Sequence, residues 1–285
     1  MIKTAGIFVN TYKDSELELT EKVISCLCRL SLEPVLLQET AVRLGKDGKE
    51  SIEDFIAASD CILVLGGDGT VLRIVADAAL AQKPIMCINL GRVGFLSELE
   101  PDELEAGLAR LAAGNYHIEQ RMMLHCRAEG QSFMALNDVC VQRASTERLI
   151  HLKIFAGKHL MDSFSADGVL VSSPTGSTAY SLSAGGPILH PRLAALLVTP
   201  VCAHTLRARP MALSDEEIIQ VQVDPEACVS LMIDGEDKLS GHFSSTVTIS
   251  RDVHNALFIR LTDRNFYNLL KTKLNEWNMM EEEAL

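Results

Sequence analysis

Ile62-Leu63-Val64-Leu65-Gly66-Gly67-Asp68-Gly69-Thr70 is an apolar run that stops on glycine, and Val71, Leu72, Ile74 and Val75 after it open a helical pattern. The stretch predicts a strand, a tight turn and a helix start. Glycines in such a turn permit positive φ and close backbone approach, and the N–H groups of the turn and the first helical residues point where an anion could sit. Asp68 is the carboxylate in that nest. Bound phosphates would repel it unless a metal ion or a transferable proton engaged it, so the motif points to phosphoryl transfer rather than phosphate storage. The same residues also suit a plain strand-to-helix turn in which Gly and Asp serve backbone geometry alone.

Upstream, Thr4 to Val9 reads as a strand, and Asp14 or Ser15 can cap a helix with Leu17, Leu19, Val23, Ile24, Leu27 and Leu30 at helical spacing. Pro34 to Leu37 reads as a second strand, Gln38 to Glu50 as an exposed polar loop, and Ile52, Phe55 and Ile56 as a short helix. The Gly-Lys pairs of that loop lack the upstream glycine and following Ser or Thr of a P-loop. Pro84 to Asn89 gives the next strand, and Pro101 to Ala113 a helix that stops at Gly114. Strands alternating with helices imply a parallel sheet. In such sheets ligands bind beyond the carboxyl ends of the strands, where Gly66 to Thr70 and Gly91-Arg92-Val93-Gly94-Phe95 both fall.

From about Tyr116 the pattern becomes a series of short strands: Met122 to Ala128, Phe133 to Gln142, Leu149 to Phe155, Val169 to Ser172, Ile218 to Val223, Val229 to Ile233, Val247 to Ile249 and Leu257 to Ile259. Turns at Glu129-Gly130-Gln131 and Ala156-Gly157-Lys158 fit hairpins. The expected organisation is an α/β domain over 1–116 and an all-β, sandwich-like domain over 117–263. A C-terminal helix over 264–285 is expected to return to the first domain with its stripe of Phe266, Leu269, Leu270, Leu274 and Trp277.

The 285 residues are 47% hydrophobic and carry a net charge of −12. That charge, with no long Lys/Arg run, argues against a nucleic-acid or anionic-membrane surface. A polyanionic small ligand would need local positive groups and a divalent ion. No apolar run approaches the roughly 20 residues of a membrane span, and the N-terminus enters a strand pattern without a secretion signal. The eight cysteines sit mostly within apolar patterns, as reduced core residues would. A cytoplasmic protein is the expectation.

A second dense stretch runs Ala166-Asp167-Gly168, then Ser172-Ser173-Pro174-Thr175-Gly176-Ser177-Thr178-Ala179-Tyr180-Ser181-Leu182-Ser183-Ala184-Gly185-Gly186-Pro187. Its hydroxyls and amides can bind phosphate or ribose without adding charge, and Tyr180 can lie against a base. An irregular loop rich in turn formers is the plainer alternative.

Together these segments resemble the NAD kinase family: the GGDGT run at 66–70, Asn137-Asp138, the 166–188 stretch, Thr199 to Leu206 and Ile233-Asp234-Gly235-Glu236 fall in that family's order and approximate spacing. Lipid kinases share the first motif, whereas the 174–187 run is specific. The resemblance implies a Rossmann-like N-terminal domain, a β-rich C-terminal domain, a site between them and a homo-oligomer, dimer or tetramer. It implies ATP as phosphoryl donor, Mg²⁺ or another divalent ion with no metal site fixed by protein alone, and NAD as acceptor.

Carried over by position, Asp68 would accept the proton of the adenosine ribose 2′-hydroxyl. Gly66, Gly67, Gly69 and Thr70 would hold the donor's phosphates and Mg²⁺. Arg73 could neutralise phosphate or pair with Asp77 one turn on. NAD would meet Asp68, Gly69, Phe95, Asn137, Asp138, Arg148, Asp167, Thr175, Thr178, Ala179, Tyr180, Ser181, Leu182 and Ser183. Asp138 stands where the family usually has Glu, Ser165 where it often has a basic residue, Ala203 where proline is common, and Glu236 where Gln is common.

Overall fold

A computed structural model of the chain describes residues 2–91, 94–145, 148–243, 246–262 and 265–283. It divides into two compact units, Met1–Gln120 with Leu257–Leu285, and Arg121–Ala256. The first unit runs β1 (Thr4–Val9), α1 (Glu18–Arg29), β2 (Glu33–Leu36), α2 (Gln38–Arg43), α3 (Ile52–Ala57), β3 (Cys61–Gly66), α4 (Asp68–Leu72), α5 (Val75–Leu80), β4 (Ile85–Asn89), β5 (Ser97–Leu99) and α6 (Leu104–Ala112). Its sheet is parallel in the order β4-β3-β1-β2, with β5 beside β4. Every residue of β3 is buried, which is why its sequence is continuously apolar rather than alternating.

Asp14 starts α1, accepting hydrogen bonds from the Leu19 and Thr20 amides at 3.2 and 2.9 Å. The expected loop over Gln38 to Glu50 instead opens with α2, whose Thr40 and Ala41 are buried. Lys49 then returns alongside, its amide donating to Leu36 O and its carbonyl accepting from the Gln38 amide. Too few apolar residues anchor this short helix for a periodic signal to emerge. The helix after the glycine turn is also interrupted, α4 ending at Leu72 and α5 beginning at Val75.

The chain continues through β6 (His117–Ala128), β7 (Gln131–Ala135), β8 (Asp138–Arg143), β9 (Ile150–Ala156), β10 (His159–Ala166), β11 (Gly168–Ser172), α7 (Tyr180–Ser183), β12 (Ala195–Val201), β13 (Met211–Ser214), β14 (Ile219–Val223), β15 (Cys228–Ile233), β16 (Glu236–His242), β17 (Val247–Arg260) and α8 (Phe266–Glu283). In the second unit a 6-stranded antiparallel sheet in the order β13-β12-β11-β8-β15-β16 faces the strands β10-β9-β14-β17 and the hairpin β6-β7. Val139, Val141, Val169, Val171 and Leu231 from the first layer share one core with Leu124, Leu152, Ile154, Ile219 and Ile249 from the second. That is the sandwich the alternating strands predicted.

Several expected strand boundaries differ: the strand expected from Met122 begins at His117. Phe133 to Gln142 is two strands, parted at Leu136-Asn137, and Val247 to Ile249 with Leu257 to Ile259 is the single strand β17. In α8, Phe266, Leu269, Leu270 and Leu274 are half-buried; Trp277 lies beyond the residues whose side chains are described. Among the described residues no helix is long and apolar enough to cross a membrane.

Candidate active site

In the first unit, β3 delivers the chain to Gly66 and Gly67, and α4 begins on Asp68. Thr70 folds back under this turn, its Oγ1 accepting from Asn10 Nδ2 at 3.1 Å and from the Gly67 amide at 3.4 Å. A Cβ on Gly66 would lie 2.2 Å from that Oγ1, so glycine is the residue that lets the threonine close. Thr70 is buried and its hydroxyl is engaged inside the protein, which makes it a brace of the loop.

The half-buried Asp68 carboxylate accepts one backbone N–H on each oxygen, Phe95 on Oδ2 at 2.8 Å and Leu96 on Oδ1 at 3.1 Å. Each oxygen keeps further lone-pair capacity for a hydroxyl proton or a cation. The approach is tight, because a Cβ on Gly94 would stand 2.0 Å from Asp68 Oδ1. Gly94→Ala should therefore move the acid and lower kcat about 100-fold with little change in circular dichroism. An unchanged kcat would mean that this segment does not fix the carboxylate.

The segment is anchored from the other side. Arg260, buried, donates to Leu96 O, to Glu98 Oε2 at 3.1 Å and to Glu119 Oε2 at 2.7 Å. Arg73 is exposed, its guanidinium 5.6 Å from the centroid of the Phe8 ring. Arg92 and Val93 of the second glycine turn fall outside the described residues.

In the second unit the two predicted motifs meet. Ser173 N donates to Asn137 O at 2.8 Å, and a Cβ on Gly176 would lie 2.0 Å from that same carbonyl oxygen. The 173–178 turn thus packs directly on the Asn137 backbone. Asp234 holds the other side of this crossing, with Leu136 N on Oδ2 at 2.8 Å and Asn137 N and Asp138 N on Oδ1 at 2.7 and 3.0 Å. Burial pushes the Asp234 carboxyl up, and the three amides work against that rise.

Asp138 is buried, and burial together with the neighbouring Asp234 charge pushes its carboxyl up to about 7. The unfolded chain gives up this proton near the ordinary value of 3.8, whereas the folded chain keeps it until about 7. The stabilisation is therefore complete below the lower value and is lost as pH rises through the upper one, by at most about 4 kcal/mol. Asp138→Asn should flatten this dependence. Urea unfolding at pH 5 and pH 8 checks it, and equal slopes in the two proteins would contradict the assignment.

Tyr180 is exposed on α7; partial burial and the nearby Cys140, Cys202, Asp167 and Asp138 push its phenol up, which puts those predicted groups in one neighbourhood. Asp167 is ion-paired with Arg143 Nε at 2.8 Å, a partner the sequence reading missed. Thr178 is half-buried and Ser183 exposed, whereas Ser181 is buried against Thr199 Oγ1 at 2.9 Å. Thr175, also buried, accepts from Arg121 at 3.4 Å. Arg148 is exposed. Ser165 bonds His151 Nδ1 at 3.3 Å, and Glu236 pairs with Lys238 at 2.6 Å.

All eight cysteines are free. Burial pushes the thiols of Cys61, Cys126 and Cys140 up to about 12, so they are inert core residues. Among the described residues there is no cluster of three or more His, Cys, Asp or Glu able to hold a metal ion.

Comparison with known proteins bears on the whole chain. Residues 5–116 match the model of the ATP-NAD kinase N-terminal domain and residues 136–261 that of the ATP-NAD kinase C-terminal domain. The NAD kinase of Desulforamulus reducens is 39% identical, over 97% of this chain and 98% of its own. That of Caldanaerobacter subterraneus is 37% identical, over 96% and 100%. Among solved structures, yeast NADH kinase complexed with NADH aligns at a TM-score of 0.87 and 24% identity, covering 97% of this chain and 88% of that one. An NAD kinase from Archaeoglobus fulgidus in complex with ATP aligns at 0.77 and 25%, covering 95% and 98%. With both domain models matched in order and relatives aligned nearly end to end, the chain belongs to the NAD kinase family and is a phosphotransferase.

Proposed function

We propose that the protein transfers the γ-phosphoryl group of ATP to the 2′-hydroxyl of the adenosine ribose of NAD, with Asp68 as the general base. One observation carries the reading: a carboxylate set at the head of a glycine turn, each oxygen bearing a single amide and open to one more partner. A ribose hydroxyl is a weak nucleophile, and its proton must leave as the phosphoryl group arrives. Asp68 would take it. The Gly66–Gly69 turn would cradle the donor's phosphates, and ATP as donor is supported by the relative solved with ATP.

Asn137 and Asp138, with Thr178, Ala179 and Tyr180, would hold the adenosine part of NAD, and Asp167 the nicotinamide end. Asp138, its carboxyl raised to about 7, would be protonated in about half of the molecules at neutrality and could then donate a hydrogen bond as well as accept one. Mg²⁺ would be carried on the donor's phosphates, with no metal site fixed by the protein alone. When bound, that ion would supply charge neutralisation on the phosphates. The protein works in the cytoplasm, in keeping with its free cysteines, and as a dimer or tetramer, which light scattering after size exclusion would measure. The activity test is NADP formation by the purified protein with ATP, Mg²⁺ and NAD. NADP is the expected product; none above background would remove the proposal.

A further inference from the structure

The sequence offered Arg73 for phosphate or for Asp77, and its guanidinium lies 5.6 Å from the centroid of the Phe8 ring. The ammonium beside the glycine turn belongs to Lys13. Its Nζ is 3.3 Å from the point a Cβ on Gly67 would occupy and 3.9 Å from the corresponding point on Gly91. Among the described residues this ammonium has no ion pair and no hydrogen bond. In a chain of net charge −12, an unneutralised cation over two glycines is a local departure that calls for an anionic occupant.

Topology explains how Lys13 comes to be there. In the order β4-β3-β1-β2, the connection after β1 leads to one side of the sheet and that after β3 to the other, so the switch in direction falls between β1 and β3. Ligands of open parallel sheets bind at such a switch, beyond the carboxyl ends of the strands. Val9 and Leu65 are in register there, and Asn10 N donates to Leu65 O at 2.9 Å. Asn10 fastens the two turns together: its Nδ2 donates to Thr70 Oγ1, and its Oδ1 accepts from the amides of Tyr12 and Lys13 at 3.1 and 3.3 Å. The Lys13 backbone is thus held at a fixed place relative to the turn that carries Asp68, and its exposed side chain reaches over that turn.

We propose that Lys13 binds the phosphate chain of the phosphoryl donor over the Gly66–Gly69 turn. This inference rests on the phosphotransfer reading above and names the side chain that supplies its positive charge. The ligand chemistry is a contiguous polyphosphate, from a nucleoside triphosphate or from inorganic polyphosphate. A compact ammonium on a flexible stem suits it, since such a group follows a phosphate chain as a point charge without demanding two-point geometry.

The test compares wild type, Lys13→Gln and Lys13→Arg in NADP formation, varying ATP, inorganic polyphosphate and NAD separately. Lys13→Gln should raise the KM for the donor about 10- to 100-fold, leave the KM for NAD within about twofold, and be largely rescued by Lys13→Arg. A rise for ATP alone or for polyphosphate alone identifies which source the lysine serves, and either supports the site. An unchanged donor KM in Lys13→Gln, or an equal rise in both KM values without rescue by arginine, would overturn it. Should wild type form no NADP, the reaction assigned above fails on its own, and calorimetric titration of Mg-ATP remains the readout. Weaker binding by Lys13→Gln then upholds the lysine site, and equal binding overturns it.

Discussion

Asp68→Ala lowers kcat for NADP formation by about 1,000-fold or more while NAD affinity stays within a few-fold. A positioned general base contributes about 100- to 10,000-fold, and removal of a group that acts only as the proton moves should reduce kcat rather than binding. The structure complicates a bare alanine result, because Asp68 also receives the Phe95 and Leu96 amides. Alanine leaves both without an acceptor, so part of the loss could come from the 94–96 segment moving. Asp68→Asn separates the two effects. Its single amide oxygen still satisfies one of the two N–H groups, while its amide nitrogen cannot take up a proton. Were Asp68 only an anchor, asparagine would recover much of the activity that alanine loses. The base role requires both variants to be equally inactive in single-turnover measurements.

Of the substitutions considered at fixed pH, Asp234→Ala should lose the most stability. Three amides, those of Leu136, Asn137 and Asp138, converge on its carboxylate at the point where β7 gives way to β8. Leaving buried donors unsatisfied costs about 1–3 kcal/mol each, and water can reach part of this half-buried cluster, so a total loss of about 3 kcal/mol is expected. Asp234→Asn should lose less. An asparagine oxygen at the Oδ1 position keeps two of the three amides, Asn137 and Asp138, and forfeits Leu136. Urea denaturation should rank wild type above asparagine above alanine. A loss below about 1 kcal/mol in the alanine variant would show that the crossing is held by its other contacts, among them Ser173 on Asn137.

Both arguments turn on residues whose legibility in the sequence differed for physical reasons. The 61–72 strand-turn-helix could be read because a fully buried parallel strand is continuously apolar and ends where glycine must begin. The sandwich could be read because half-buried strands alternate, as Ile150 to Ile154 do. Polar contacts made across long sequence separations left no local mark. Asn10 and Lys13 look like ordinary turn residues until parallel pairing brings Val9 beside Leu65. Arg260 reaches Glu98 and Glu119, 162 and 141 residues away, and no periodicity reports such a pairing. Asp234 was visible only as part of a family-like segment; its three backbone partners explain why the run from Phe133 to Gln142 breaks into two strands just before the polar Asn137-Asp138 pair. Arg73 has a further contact that the sequence did not show. Its helical spacing beside the glycine turn suggested phosphate or Asp77, and the fold adds the Phe8 ring, 5.6 Å from its guanidinium.

A crystal of the protein grown with NAD measures the separation on which the assigned chemistry depends. The adenosine ribose 2′-oxygen should lie about 2.6–3.2 Å from an Asp68 carboxylate oxygen, or be joined to it through one water. A dinucleotide bound in full, with that hydroxyl directed elsewhere and no carboxylate within reach of it, would contradict Asp68 as the proton acceptor.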